Sequence, residues 1–220
     1  MDKTNNEKNN EISLFHLFWI FYICCFAGVV VETIWCIITN GFFESRTALI
    51  LEPLNPVYGL GGVLLTLLYS KLHTKSNIFI FLSCMVIGGT FEYFCSLFQE
   101  LIYGTISWQY YSDTFGILGR TSLVYSVFWG VLGISYIRLI YPFLFKQISR
   151  INTKTGKIFT FFLALFVCFD ILFTSGAVLR REERREGIPA NNVIRVFYDE
   201  YFHDDILKKI YPHMVPANPK

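Results

Sequence analysis

Residues 14–38 read LFHLFWIFYICCFAGVVVETIWCII, an apolar stretch whose single carboxylate belongs to Glu32. A helix needs about 20 apolar residues to cross the hydrocarbon core of a bilayer. The stretch is long enough to cross, and it exceeds the apolar region of about 7–15 residues found in a cleavable signal peptide. No small-residue cleavage pattern follows it, so we expect a retained transmembrane helix.

Four more apolar segments follow, and all five are predicted to be helical because a helix satisfies its own backbone hydrogen bonds in lipid. The predicted spans are residues 14–38, 56–72, 78–102, 122–145 and 158–178. The fold class is therefore an all-α, polytopic membrane protein with about five transmembrane helices. We expect three regions: a polar N-terminal segment (1–13), the transmembrane domain (14–178) and a polar, partly helical C-terminal tail (179–220).

The composition is that of a membrane protein rather than a soluble one, since 53% of the residues are hydrophobic and 16% are charged. An average soluble domain carries about 25% charged residues. The net charge of +2 does not indicate a nucleic-acid partner. The six cysteines lie in apolar runs without a C-x-x-C pair, which favours packing over metal binding or disulfides. Without a P-loop, H-E-x-x-H or G-x-S-x-G motif, we expect no enzyme activity, cofactor or metal.

The polar residues of the predicted spans concentrate near one side of the bilayer. We call the amino-terminal side A and the opposite side B. The acidic residues of spans one, three and five lie in the halves that end on side B, and polar or aromatic residues of the side-B loops lie near them. The candidate site residues are Glu32, Arg46, Asn55, Tyr58, Glu92, Tyr93, Glu100, Trp108, Arg120 and Asp170.

A charge at the centre of a bilayer costs about 2.5–3.5 kcal/mol on insertion scales, so these acidic groups need water, a cation or one another. Glu32 is within reach of Arg46 or Arg120, and Glu92 is within reach of Arg120. The third span carries a polar stripe on one helical face, formed by Glu92, Ser96, Gln99 and Glu100. Three roles stay open: salt bridges that lock the helices, a solvated cavity for a substrate or ion, and catalysis.

Local signals indicate helix starts and close helix contacts. Asn55 precedes a proline at the start of the second span, and Asn192 is a predicted N-cap in the tail. Ser122, Ser126 and Gly130 form a small-residue face on the fourth span, which predicts close approach of another helix. The tail is too short to hold a core alone. We expect it to pack on the membrane domain, on the lipid surface or on a partner.

The orientation of the chain in the membrane stays open. Lysine and arginine residues near the span ends are divided almost evenly between side A and side B, so the positive-inside rule does not decide it. A basic run at residues 180–185 follows the fifth span. If that span did not cross fully, both basic clusters would share the cytoplasmic side, and this alternative also stays open.

Several short motifs follow one another along the chain. They are Glu32-Thr33-Ile34-Trp35, Arg46, Pro53-Leu54-Asn55-Pro56-Val57-Tyr58-Gly59, Phe91-Glu92-Tyr93, Glu100, Trp108, Gly119-Arg120-Thr121 and Phe128-Trp129-Gly130. In this order the chain resembles the putative ABC-transporter type IV, or CmpB-like, membrane family over about residues 15–145. It departs from the family pattern where Gln109 replaces an aspartate between Trp108 and Tyr110, which removes an acid from the second side-B loop.

The resemblance implies a permease-type subunit, with any ATPase on a separate chain because this one has no P-loop. Glu32, Glu92, Glu100 and Arg120 would then line a polar cavity open to side B. The alternative hypothesis is a non-transporting scaffold or sensor accessory protein whose buried charges are structural and whose tail recruits a partner. The expected location is a bacterial plasma membrane. The expected partners are the lipid bilayer and an ATPase subunit, another membrane protein or a second copy of the chain.

Overall fold

The computed structural model describes residues 12–110 and 115–217, and within them the chain is mainly helical, with almost no sheet. The helices are α1 (Leu14–Asn40), α2 (Pro56–Leu72), α3 (Asn77–Tyr103), α4 (Leu123–Ser135), α5 (Tyr141–Ile151), α6 (Lys154–Arg185), α7 (Val193–Tyr201) and α8 (Asp204–Ile210). The same residues contain the two-residue strands β1 (Thr105–Ile106), β2 (Gly116–Ile117), β3 (Thr121–Ser122) and β4 (Val215–Pro216). The predicted all-α membrane fold is confirmed. Of the predicted N-terminal segment, residues 1–11 lie outside the described residues.

Four helical segments in the described part of the chain are long and apolar enough to cross a membrane: α1, α3, α6, and α4 continued into α5. The helix α2 is apolar but has 17 residues, a length of about 25 Å at 1.5 Å per residue. The helix α6 has 32 residues and runs past the predicted end of the fifth span at residue 178. Ion pairs of Arg180 with Glu183 and of Arg185 with Glu182, each three residues apart, stabilise these extra turns.

Local sequence fixes the helix ends on side B. The side chain of Asn55 accepts from the Val57 N–H at 3.1 Å, which confirms the predicted start of α2. Ser122 caps α4 in the same manner. Gly41 and Gly104 end α1 and α3 with φ of 77° and 63°, a left-handed conformation that a side chain would strain. The side-B loops therefore leave the helices at positions that the sequence specifies.

The helices α1 and α2 form a first antiparallel hairpin, and small residues bring them into contact. A Cβ atom added at Gly59 or Gly62 of α2 would overlap the side chains of Cys25 or Cys24 on α1. In the other direction, Gly28 of α1 lies against the ring of Tyr58. Cys24 and Cys25 thus fill space between helices, as their apolar surroundings predicted, whereas Cys168 of α6 is exposed.

The helices α3 and α4 form a second hairpin of the same kind. Gly89 of α3 faces the hydroxyl of Ser126, and Gly130 of α4 faces the ring of Phe81. The predicted small-residue face of the fourth span is confirmed at Ser126 and Gly130, and it is the α3–α4 contact. Close backbone approach of this kind lets helices associate in lipid, where hydrophobic burial contributes little.

On side A, the helix α5 and the connection before it pack against the first hairpin and the α2–α3 loop. Between α4 and α5, residues Tyr136–Ile140 form one turn of π-helix. Pro142 follows this turn and has no N–H to donate, so the regular hydrogen-bond ladder cannot continue there. Arg138 donates to the carbonyls of His73 and Lys75 at 2.5 and 2.6 Å, which holds the α2–α3 loop.

The tail folds back on the end of α6 and then crosses the side-B loops. Tyr198 of α7 packs on Gly176 and donates to the Phe173 carbonyl at 3.0 Å. Arg180 donates two hydrogen bonds to Asp199, of 2.9 and 2.8 Å. Farther on, β4 pairs antiparallel with β1 in the α3–α4 loop. Of the three places expected for the tail, the structure shows it on the membrane domain.

Candidate functional site

A cavity of about 950 Å³ lies between the two hairpins near side B. Its wall comprises the end of α1 and the loop after it, the start of α2, the second half of α3, the α3–α4 loop, and α4. The tail residues Ile210–Met214 line it as well. Pockets of about 300–1,000 Å³ commonly hold small ligands, so this cavity is the candidate site.

The cavity brings together part of the predicted set of site residues. Those that line it are Glu32, Arg46, Asn55, Tyr58, Glu92 and Trp108. Tyr93, Glu100 and Arg120 form a separate group beside it, and Asp170 lies on α6. Glu100 and Arg120, which were expected in the wall, therefore lie outside it.

Glu32 begins a chain of polar contacts on the α1 side of the cavity. The Tyr58 hydroxyl donates to one carboxylate oxygen of Glu32, and Arg46 Nη1 lies 3.5 Å from the other. Arg46 Nη2 donates to Glu44 at 3.0 Å, and His213 Nε2 of the tail lies 2.7 Å from the same Glu44 oxygen. The predicted pair of Glu32 with Arg46 is confirmed, and through Glu44 the tail is joined to it.

Glu92 faces the cavity from α3, and each of its carboxylate oxygens accepts one hydrogen bond. Tyr110 donates to Oε1 at 2.8 Å, and Thr121 donates to Oε2 at 2.9 Å. Burial, followed by the neighbouring Glu92 carboxylate, raises the pKa of Tyr110, so the phenol keeps the proton that it donates. The predicted pair of Glu92 with Arg120 is wrong: Tyr110 and Thr121 are the hydrogen-bond donors to Glu92, and Arg120 pairs with Glu100.

Arg120 points instead to the end of α3. Its guanidinium pairs with Glu100, donates to Ser96 at 3.3 Å and lies 5.8 Å from the centre of the Tyr93 ring. Its carbonyl accepts from Trp108 Nε1 at 3.0 Å. Arg120 therefore clamps the α3–α4 connection onto α3, and that connection places Trp108 in the cavity wall.

Asp170 is fully buried and anchors the α1–α2 loop rather than the cavity. Its carboxylate accepts from the N–H groups of Leu51 at 3.2 Å and Glu52 at 3.0 Å. The Thr174 hydroxyl donates to it at 3.0 Å. These donors satisfy a buried carboxylate that would otherwise be costly. We therefore assign Asp170 a structural role.

A comparison with known families covers most of the membrane domain. The sequence model described as "Putative ABC-transporter type IV" matches residues 19–175, from α1 into α6. The chain belongs to this family. No curated protein and no solved structure gave a match. Together with helices long and apolar enough to cross a membrane, the family makes the chain a membrane protein of the transporter type.

In this ABC-transporter type IV protein, the matched segment supplies the whole cavity wall except the tail residues Ile210–Met214. Several side chains that line the cavity are not among the site residues predicted from the sequence: Trp35, Tyr110, Tyr125, Phe128, Trp129, Tyr211 and His213. Tyr125, Phe128 and Trp129 recur at helical spacing, a signal that could have indicated a common face. No local signal could have found His213, because it reaches the cavity only through the return of the tail.

Within residues 12–110 and 115–217, no three His, Cys, Asp or Glu side chains converge as a metal site. The described residues that line the cavity offer hydrogen-bonding carboxylates, one guanidinium, one imidazole and aromatic rings. That set can bind and orient a small molecule.

Proposed function

We propose that the chain is the permease-type membrane subunit of a transporter in a bacterial plasma membrane, and that the cavity holds the transported solute. The observation that carries the proposal is the cavity itself. Protein interiors are packed about as densely as organic crystals, and few voids exceed a water molecule. Helix packing alone does not account for a space of about 950 Å³.

Close packing around the cavity supports this interpretation. In the second hairpin, Gly88 touches the indole of Trp129, and the same indole lines the cavity. In the first hairpin, Gly28 touches the ring of Tyr58, which also lines it. Each hairpin is thus a tightly packed unit, and the space lies between the two units. A change in the angle between the hairpins would open or close it.

The energy source under this proposal is an ATPase on a separate chain. The sequence has no G-x-x-x-x-G-K-[ST] motif, whose backbone N–H groups hold nucleotide phosphates in P-loop ATPases. The chain would therefore contribute the solute path and depend on its partner for nucleotide hydrolysis.

A second candidate function is a non-transporting scaffold or sensor accessory protein, and the ordered tail favours it. Arg195 pairs with Glu183 at 2.5 Å, and β4 adds to β1 in the α3–α4 loop. Such a tail presents a defined surface to a partner. Under this alternative the charges in the cavity wall are structural, and the cavity admits neither solute nor bulk water.

The transporter subunit and the scaffold differ in whether water enters the cavity. Two positions at equal depth in the membrane allow this water access to be measured. Leu132 lines the cavity from α4, whereas Phe94 of α3 does not line it and is 59% exposed. Leu132 lies nine residues after Leu123, and Phe94 lies nine residues before Tyr103. Both residues are therefore about 14 Å from the side-B end of their helix. They differ in that Leu132 faces the cavity and Phe94 faces the lipid.

Each position is changed to cysteine in a chain whose six native cysteines are alanine. The reconstituted protein is treated with a sulfonated, membrane-impermeant methanethiosulfonate from either side. The reagent reacts with the thiolate, which forms in water and not in lipid, so Leu132→Cys should react about tenfold faster than Phe94→Cys or more. Equally slow reaction at both positions would contradict the transport proposal and favour the scaffold.

A further inference from the structure

Aromatic rings form much of the cavity wall. They include Trp35 of α1, Tyr58 of α2, Trp108 of the α3–α4 loop, and Tyr125, Phe128 and Trp129 of α4. Because they come from four parts of the chain, a molecule in the cavity would meet rings on several sides. The face of an aromatic ring carries partial negative charge and attracts cations.

The ionisable groups at the cavity add an excess of negative charge. Glu32 and Glu92 line the wall, and Glu44 is joined to it through Arg46. Arg46 already lies between two carboxylates, 3.5 Å from Glu32 and 3.0 Å from Glu44. His213 contacts Glu44 as well. Among the residues that the structure describes, three carboxylates therefore face one guanidinium and one imidazole. With these carboxylates ionised, the excess charge is negative whether or not the imidazole is protonated.

Tyr58 and the two lining carboxylates share the cavity wall. The Tyr58 hydroxyl donates to Glu32, and Glu92 lines the same cavity from α3. Glu32 belongs to the first hairpin and Glu92 to the second. A positive charge in the cavity would therefore meet a carboxylate from each hairpin.

We infer that the cavity takes a small organic cation, an amine or quaternary ammonium compound with an apolar or aromatic body, an inference that rests on the proposed solute-binding function. The positive group would balance Glu32 and Glu92, and the body would lie against the rings. An anion would have to compete with two carboxylates for Arg46. A neutral solute would leave the excess carboxylate charge in place.

The same arrangement links binding to the position of the hairpins. Without a cation, the carboxylates of Glu32 and Glu92 repel one another across the cavity, and a bound cation attracts both. Binding would therefore draw the hairpins together, which is the movement that a transporter uses to enclose its solute.

Three probes that share a benzyl group and differ in the charge of the group attached to it test the inference on the full chain in detergent or nanodiscs. They are benzyltrimethylammonium, benzyl alcohol and benzylphosphonate. Trp35, Trp108 and Trp129 line the cavity, whereas Trp19 donates to Thr160 outside it, so the intrinsic fluorescence reports mainly on the site. The cationic probe should change the emission saturably below about 10 mM, and it should bind about tenfold more tightly than the other two.

Variants assign the binding to the proposed side chains. Glu32→Gln and Glu92→Gln keep a hydrogen-bond acceptor and remove the charge, and each should weaken the cationic probe about tenfold. Phe128→Leu removes one lining ring that makes no polar contact, and it should weaken the probe about threefold. Glu200→Gln, on the exposed side of α7, is the matched control and should bind as the parent does.

The outcomes distinguish this inference from the proposed function. Tighter binding of benzylphosphonate, or unchanged binding in both glutamine variants and in Phe128→Leu, overturns the organic-cation inference and leaves a solute cavity in place. Absence of saturable binding by all three probes, with fast labelling of Leu132→Cys, overturns the inference alone. Absence of binding together with slow labelling of Leu132→Cys overturns both.

Discussion

Arg120 holds the end of α3 through a pair of charges that are only partly exposed. Its side chain is 17% exposed and that of its partner Glu100 is 31% exposed. The guanidinium also donates to Ser96, which is buried. Removing the cation would leave a half-buried carboxylate without its partner, and the α3–α4 connection would lose one attachment to α3.

We predict that Arg120→Ala lowers the free energy of unfolding in detergent by about 2–3 kcal/mol. The loss falls below the 3–5 kcal/mol typical of a fully buried pair, because solvent screens this one in part. Combining Arg120→Glu with Glu100→Arg should recover part of the stability, whereas combining it with Glu92→Arg should not. An alanine variant as stable as the parent, or recovery by the Glu92 exchange, would refute the assignment.

The partner of Arg120 could not be chosen from the sequence. Glu92 and Glu100 lie two helical turns apart on one face of α3, so both are within reach of a long side chain. Which glutamate pairs with Arg120 depends on the path of the connection from β1 to β3. In that connection, Tyr110 and Thr121 donate hydrogen bonds to the Glu92 carboxylate. Spacing along a helix predicts which residues share a face, and the tertiary path of a loop decides which of them it meets.

Asp170 shows the same limit. Because Asp170 lies within the fifth predicted span, its carboxylate was expected to need a polar partner inside the membrane domain. The structure confirms that it has such partners. The partners are backbone N–H groups of Leu51 and Glu52, in a loop more than a hundred residues earlier in the chain. Every residue except proline has a backbone N–H, so the sequence does not indicate which of these groups binds a given carboxylate. An acid that anchors a loop therefore cannot be told from an acid that lines a cavity by sequence alone.

At the scale of elements, α7 is held on α6 by arginine–aspartate contacts. Asp199 accepts from Arg180 and from Arg184 at 2.8–2.9 Å. The hydrogen bond from Arg180, reinforced by Arg184, lowers the pKa of Asp199 to about 2. Because the folded-state pKa lies below the ordinary value of about 3.9, ionised Asp199 stabilises the docked tail at and above that pH. The stabilisation is lost as the pH falls from about 4 through about 2.

We predict that acid releases α7 and that Asp199→Asn releases it at neutral pH. A fluorophore on Tyr201→Cys, in the chain without native cysteines, reports docking by its anisotropy. In the parent the anisotropy should stay constant from pH 7 to about 4 and fall between about 4 and 2. Asp199→Asn should show the low value already at pH 7, and Asp205→Asn should match the parent. Parental anisotropy in Asp199→Asn at pH 7 would disprove the role of this contact.

The helices themselves were largely predictable, because length, apolar runs and caps are local properties. The starts of α2 and α7 follow Asn55 and Asn192, whose side chains accept from N–H groups of the first turn. The π-helical turn at Tyr136–Ile140 and the continuation of α6 to Arg185 were not predicted. The π-helical turn depends on a contact that forms in the folded chain, the hydrogen bond of Arg138 to the α2–α3 loop. The extra turns of α6 are stabilised by the local ion pairs of Arg180 with Glu183 and of Arg185 with Glu182, a signal that the apolar pattern of the span does not contain.

At the scale of the whole molecule, the chain is two tight hairpins separated by a polar cavity and crossed by a tail. The sequence predicted that polar residues gather near side B, since alternating spans place them there. It did not predict the cavity, because its shape depends on which helices pair and on where the hairpins separate. The tail completes the wall with Ile210–Met214, which lie outside the family match.

A water-filled solute site within the membrane has to admit a water-soluble reagent, so the rate of modification at Leu132→Cys is the decisive measurement. The rate is measured with the impermeant thiol reagent, with and without saturating benzyltrimethylammonium. We predict fast modification that the probe slows about fivefold or more, and loss of this protection when Glu92→Gln is added. Slow modification whether or not the probe is present would rule out a solute site, because the cavity would then be closed to water and to solute.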